Sequence, residues 1–319
     1  MSVTTHLSRR RKPAVLRPSL SGQKAPVPHS HRSRRRHPWI FVLPAVAMFS
    51  VFFLAPTLLT FFYPFTNWSA FHSNIDVVGL KSFRSILHDG SLRNALQATL
   101  IYAFVVAVCQ NLFGLGLALL LEEDTWLNRA LRTVFFLPVL LSALAVGYVF
   151  RAFLTPDGAL NHALSTISGA HVTFAWLGST TWTLVVVALI HSWKWMGLSM
   201  LIYLAGLKAV PPELLEAART DGAGRWRTFQ AVKFPLLAPA VTFNVTLALI
   251  GTLNSFDIVQ ATTGGGPAEA TQIFNVYMFR VFGEGLYAQA AAMSLVLFLV
   301  VTALAIPVIM FLRRRELSL

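Results

Sequence analysis

The sequence predicts an all-α integral membrane protein with six transmembrane helices, and three observations carry that prediction. Hydrophobic residues make up 55% of the 319 and charged residues only 12%, against about 25% charged residues in an average soluble domain. Long apolar runs recur along the chain, of the length needed to cross a hydrocarbon core roughly 30 Å thick at about 1.5 Å per residue. The basic residues lie between these runs and at the chain ends. Despite the formal net charge of +13, that distribution reads as a topology signal. A nucleic-acid surface would need a basic patch on a folded domain, so nucleic acid is not an expected partner.

The first 38 residues carry ten Lys or Arg, among them Arg9, Arg10, Arg11, Lys12, Arg34, Arg35 and Arg36, mixed with Pro, Ser and His and without an apolar period. They read as a disordered cytoplasmic tail drawn to anionic lipid head groups. A signal peptide does not fit, because the next apolar run is too long for one and lacks a small-residue cleavage site.

The domain that follows, residues 39–315, holds six apolar segments: 39–62, 95–121, 134–150, 182–207, 236–256 and 288–312. The third is only just long enough to cross. Lipid-exposed backbone must satisfy its own hydrogen bonds, and uniformly apolar segments of this length do so as helices rather than barrel strands. Twenty Lys and Arg fall in the two termini and in the loops 122–133 and 208–235, whereas Lys81, Arg84, Arg93 and Arg280 are the four in the opposite loops. The positive-inside rule places both termini and the loops 122–133 and 208–235 in the cytoplasm. The single cysteine, Cys109, lies in an apolar run, which leaves no disulfide and no thiolate metal site within the chain.

The longest cytoplasmic loop, 208–235, contains two helix signals. Pro211 and Pro212 suit a helix start, where no amide donor is needed, and Gly222 suits the stop. Leu214, Ala217, Ala218 and Asp221 fall at i, i+3, i+4 and i+7, with Glu213, Glu216, Arg219 and Thr220 on the remaining face. A second short helix over 225–232 is expected to stop at Pro235. On amphipathicity alone, the first of these helices fits an interfacial helix lying on the membrane better than a docking helix.

The loop also carries an unevenly spaced signature: Glu216-Ala217-Ala218, then Asp221-Gly222-Ala223, then Phe229, Pro235 and Pro239. Through it the chain resembles the inner-membrane permease subunits of binding-protein-dependent ATP-binding-cassette importers. Phe135-Phe136-Leu137-Pro138-Val139, Trp195 with Leu204-Ala205-Gly206-Leu207, and Thr263-Gly264-Gly265-Gly266-Pro267 extend the likeness to the sugar branch, which includes maltose-type and glycerol-phosphate-type permeases. The resemblance implies the type I importer transmembrane fold. It also implies a coupling helix at Glu216, Ala217, Ala218, Asp221 and Gly222 that docks on a dimeric cytoplasmic ATPase. Its remaining implications are a place in the bacterial plasma membrane, a second homologous permease, an extracytoplasmic sugar-binding protein, and transport of a sugar, an oligosaccharide or a sugar phosphate. Phe234 stands where the family often has Leu.

Polar groups at membrane depth are costly, so each either faces a cavity or bonds another helix. Asn244, Gly251, Thr252 and Ser255 share one face of the fifth segment, with Asn254 off that face and Asp257 at its outer end. The fourth segment carries His191, Trp193, Lys194 and Trp195 near its middle; aromatic rings beside hydrogen-bonding groups suit a sugar, and an intramembrane ammonium suits an anionic group or a partner such as Asp257. The competing readings are interhelical bonding for the polar residues and interfacial anchoring for the tryptophans. Cys109, Gln110 and Asn111 are weaker candidates for the pathway than for packing.

The turn 263–267 is glycine-rich without the Gly-Lys-Ser/Thr ending of a phosphate loop. ATP hydrolysis therefore falls to another chain, and the protein is expected to be no enzyme and to need no cofactor. A secondary transporter or channel is the alternative; it would need coupling carboxylates inside a span, and none lies there. An intramembrane enzyme lacks both a Gly-x-Ser-x-Gly turn and a His-Glu-x-x-His pair.

Overall fold

A computed structural model describes residues 42–316, leaving the basic tail of residues 1–38 outside the described part. The chain divides into two units at Ser50. In the first, the described residues form α1, Leu43–Phe49, with proline in its first turn, where the missing N–H costs nothing.

The regular structure of the second unit is helical among its described residues, apart from one isolated bridge between Thr66 and Val77. In chain order its helices are α2 (Ala55–Phe62), α3 (Lys81–His88), α4 (Gly90–Leu120), α5 (Trp126–Leu140), α6 (Ala143–Phe153) and α7 (Ala159–Ser168). They continue with α8 (Thr183–Lys208), α9 (Pro212–Thr220), α10 (Arg225–Thr228), α11 (Phe234–Leu236), α12 (Ala238–Leu253), α13 (Asp257–Thr262), α14 (Phe274–Gly283) and α15 (Tyr287–Glu316). Four stretches are long and apolar enough to cross a membrane unaided: Leu43–Phe65, Gly90–Leu120, Thr183–Lys208 and Tyr287–Arg314. Two bent pairs, each counted as one span, bring the number to six.

The third apolar segment is therefore not the straight helix expected. It lies across α5 and α6, which meet at 97°. Pro138 removes one ladder hydrogen bond inside α5, and one turn later Leu141 and Ser142 adopt extended backbone angles. The fifth segment is essentially α12, and the 68° bend lies at its start, between residues 225–236 and α12. Here the expected stop at Pro235 is corrected as well. Residues Phe229–Lys233 form a π-type turn in which the Phe234 amide reaches the Phe229 carbonyl, Pro235 sits in the first turn of α11, and the break comes at Leu237. The widened turn lets the chain pass a proline without clashing with the carbonyl four residues back.

α4 and α8 form the centre of the second unit. Tyr102 bonds His191, Gln110 bonds Ser199 and Asn111 bonds Tyr203, at separations of 89, 89 and 92 residues. A nearly constant offset means that the two helices run parallel. The chain from the end of α4 must then return across the membrane before α8 begins, so the α5–α6 pair does the work of one span. Gly197 marks the close crossing of α8 on α5, where an added Cβ would stand 2.2 Å from the Phe135 carbonyl oxygen. Outward-facing Phe104 and Leu299 are 69% and 62% exposed, as lipid-facing apolar side chains are in a bilayer protein.

Cross-contacts assign the loops to two ends. At one, Asp124 meets Lys208 and Glu122 meets Lys233. At the other, Trp68 accepts from the Ala288 amide, the Ala70 amide donates to Gly285, and Tyr277 donates to Asp89.

Candidate functional site

The loop between α8 and α12 is built around α9. Pro212 opens it and Glu213 lies in its first turn, where a negative charge is favoured by the helix dipole. It closes in a Schellman motif: the Ala223 amide donates to the Ala218 carbonyl at 2.9 Å and the Gly222 amide to the Arg219 carbonyl at 3.0 Å. Gly222 has φ of +76°, a conformation that costs an L-residue with a Cβ roughly 1–2 kcal/mol. No residue of α9 is buried. The side turned toward its own chain carries half-buried Leu215 and Ala218, while Leu214, Glu216, Ala217 and Asp221 stand exposed. The expected face of Leu214, Ala217, Ala218 and Asp221 is thus split, because closing the Schellman turn draws the Ala218 edge inward. Trp226, 68% exposed, stacks at 5.7 Å on Phe229 beside it.

This loop is tied to the end of α4 by three successive carboxylates. Glu122 holds Lys233 at 2.6 Å, Glu123 lies 3.9 Å from exposed Arg225, and Asp124 bonds both Lys208 and Arg132, at 2.8 and 2.9 Å. Arg132 also donates to the carbonyls of Leu121, Glu122 and Glu123, which would otherwise be bare at a helix C-terminus. The bonds from Lys208 and then Arg132 hold the Asp124 carboxyl down at about 2.

Deeper in the bundle, a cavity of about 740 Å³ opens between α8 and α12, within the usual range for a small-molecule site. Gly251 and Ser255 line it together with Trp195, Gln110, His191, Asn254 and Asp257, against an apolar wall that includes Phe243, Leu247 and Phe256. The remaining candidates lie elsewhere. Asn244, fully buried, donates to the Ser199 carbonyl at 3.3 Å, and Thr252 donates back to Ala248. Trp193 packs edge-on against Phe150, 5.2 Å away, in the core beside the cavity. Lys194 donates to the Val139 carbonyl at 3.2 Å and lies 4.2 Å over the Trp195 ring, with no pairing to Asp257.

The four residues of the fifth segment share a face but not an environment. Residues 244 and 255 are about 16 Å apart along a helix axis, so Asn244 meets the packed part of α8 while Ser255 lies past the end of α12, where the bundle opens. Asn254, which periodicity had put off the face, reaches the cavity for the same reason: the helix ends at Leu253 and the period no longer governs direction. Gln110 could be found only as a polar residue in an apolar run, and it divides its place between Ser199 and the cavity.

Comparison with known proteins places these features. The family described as "Binding-protein-dependent transport system inner membrane component" matches residues 110–314. The chain is 30% identical to the probable starch degradation products transport system permease protein AmyD of Thermoanaerobacterium thermosulfurigenes, over 88% of this chain and 95% of that protein. It is 32% identical to the sn-glycerol-3-phosphate transport system permease protein UgpA of Agrobacterium fabrum, over 84% and 91%. Among solved structures, a chain of a bacterial ABC transporter involved in the import of the acidic polysaccharide alginate superposes with a TM-score of 0.74 at 22% identity, over 86% and 94% of the two chains. That likeness shows the fold, which is the type I importer transmembrane fold.

Proposed function

Because the chain belongs to the binding-protein-dependent transport system inner membrane components, we propose that it is the permease subunit of an importer for saccharides, powered by a separate ATPase. It is a multi-pass membrane component and not an enzyme. The relatives named for starch degradation products and for sn-glycerol-3-phosphate support a saccharide or sugar-phosphate cargo. A binding protein delivers this cargo from outside the cell. A second homologous permease completes the pathway, since six spans enclose little space by themselves, and a dimeric ATPase docks on the cytoplasmic loop.

The observation that carries the reading is α9. It bears the family signature, ends in a fixed left-handed turn, and leaves Leu214, Ala217 and Glu216 uncovered by its own chain. Docked in a groove of the ATPase, this helix moves with the nucleotide cycle. The charged latch to Glu122 and Asp124 passes the motion to α4 and α8, and α8 and α12 open or close the cavity. In this scheme Gly251, Ser255 and Trp195 touch cargo directly, while Asn244, Thr252, Trp193 and Lys194 hold the helices that shape the site. Both termini and the α9 loop are cytoplasmic. The test is affinity purification from native membranes with mass spectrometry of what accompanies the chain. Recovery of an ATP-binding-cassette ATPase and a second permease is the expected result; their absence would return the choice to a secondary transporter or channel.

A further inference from the structure

Among the described residues, the cavity between α8 and α12 carries one carboxylate, Asp257, and is lined by neither lysine nor arginine. Lys194, the one basic residue at that depth in the fourth span, is 2% exposed and spends its ammonium on the Val139 carbonyl and the Trp195 ring. It is part of the wall and not of the lining. His191 does reach the cavity, but its Nδ1 is shared with the Tyr102 hydroxyl at 3.0 Å and the residue is buried. Asp257 stands exposed with no ion-pair partner among the described residues.

From this geometry we infer that the cargo is an uncharged saccharide and that Asp257 is the specificity-determining residue that turns anionic sugars away. The inference rests on the importer reading. A carboxylate accepts charge-assisted hydrogen bonds from sugar hydroxyls, and Asn254, Ser255 and Gln110 add donors and acceptors beside it. The Trp195 ring offers a face for the C–H side of a pyranose. A phosphate or uronate would have to approach a like charge with no lysine or arginine in this chain's lining to offset the repulsion. Discrimination of this kind comes from a repulsive element as much as from attraction. Lys194 had suggested anionic cargo at the level of sequence; its position in the fold reverses that argument.

Thiol chemistry reads the charge of the cavity in the complete complex purified in lipid nanodiscs. Cys109→Ala removes the single thiol of this chain, and Gly251→Cys introduces one in the lining, where an added Cβ meets nothing within 4 Å; modification is read on this chain by its mass. Trimethylammonium-ethyl and sulfonatoethyl methanethiosulfonate are similar in size and opposite in charge. Relative to their ratio on a free thiol, the cationic reagent should react about tenfold faster or more, the effect of one-sign focusing in a cleft. Adding Asp257→Asn should return the ratio most of the way to the free-thiol value. A preference for the anionic reagent, or a ratio unmoved by Asp257→Asn, would overturn the proposal.

A second arm uses proteoliposomes holding the wild-type complex and its binding protein, offered a mixed pool of neutral oligosaccharides, sugar phosphates and uronates. ATP-dependent accumulation of neutral sugars alone is expected, and accumulation of a phosphate or uronate would refute the inference. If no saccharide enters, the importer reading itself has failed, while the thiol ratio still decides the charge of the site.

Discussion

The ammonium of Lys233, in the π-type turn after α9 and α10, lies 2.6 Å from one carboxylate oxygen of Glu122 and 2.7 Å from the other, 111 residues away at the end of α4. The two side chains are 19% and 28% exposed, so the pair is sheltered enough to couple the elements that carry it. Exchanging the charges, with Glu122→Lys and Lys233→Glu together, should restore much of what either single change loses in uptake per ATP hydrolysed. A coupling energy of about 1 kcal/mol is expected from a double-mutant cycle on complex stability. Independent, additive losses would mean that the pair does not link loop to helix.

The neighbouring Asp124 sets the pH range over which its own bonds to Lys208 and Arg132 hold. Its folded-state value, about 2, lies below its ordinary value of 3.8. A depressed carboxyl contributes fully above the unfolded value and loses its contribution as pH falls through the folded one. The bonds of Asp124 to Lys208 and Arg132 should therefore be unchanged between pH 8 and 5 and weaken only below about pH 4. Crosslinking yield between cysteines placed on either side of the loop would report this, and a transition near pH 6 would contradict it.

Gly222→Ala should cost roughly 1 kcal/mol or more, because φ of +76° suits glycine and strains a Cβ. Space is not the obstacle, since an added Cβ there meets nothing within 4 Å. Assembly should survive with ATP hydrolysis poorly coupled to uptake. Glu216→Lys, on the exposed side of α9, should instead lower recovery of the ATPase in pull-downs. Wild-type uptake in both variants would remove α9 from the coupling pathway.

Ser255→Ala and Asn244→Ala should separate cargo contact from packing. Ser255 lines the cavity, so its loss should raise the cargo concentration needed for half-maximal uptake with little change in thermal stability. Asn244 is buried against Ser199, and its loss should lower stability by roughly 1–3 kcal/mol through the broken buried bond. A shared phenotype would return the two residues to one functional face.

Lys194→Met should alter stability and leave cargo affinity unchanged, because the ammonium serves the Val139 carbonyl at the approach to the α5–α6 bend. Thermal unfolding beside concentration-dependent uptake measures both. A selective loss of cargo affinity would place Lys194 in the lining after all.

Reporter fusions test the topology: a reporter at Leu319 should be active only when internal, and one in residues 66–80 only when external, given the 20-to-4 distribution of basic residues. An externally active reporter at Leu319 would sink the six-span arrangement.

The sequence by itself determined the class, the four unbroken spans and the short helix α9 in the loop 208–235, because these depend on local rules. Hydrocarbon imposes uniform apolarity on a spanning segment, and Pro211-Pro212 and Gly222 mark the ends of α9 through backbone chemistry confined to a few residues. Only the tertiary structure decided which polar residues face the cavity. Asn244 and Ser255 share a helical face in sequence, yet one meets Ser199 and the other lines the cavity, since the neighbour changes along the axis. Periodicity fixes a direction around one helix and carries no information about what stands opposite. For that reason Lys194 read as a cargo ligand until the fold set the Val139 carbonyl and the Trp195 ring against its ammonium.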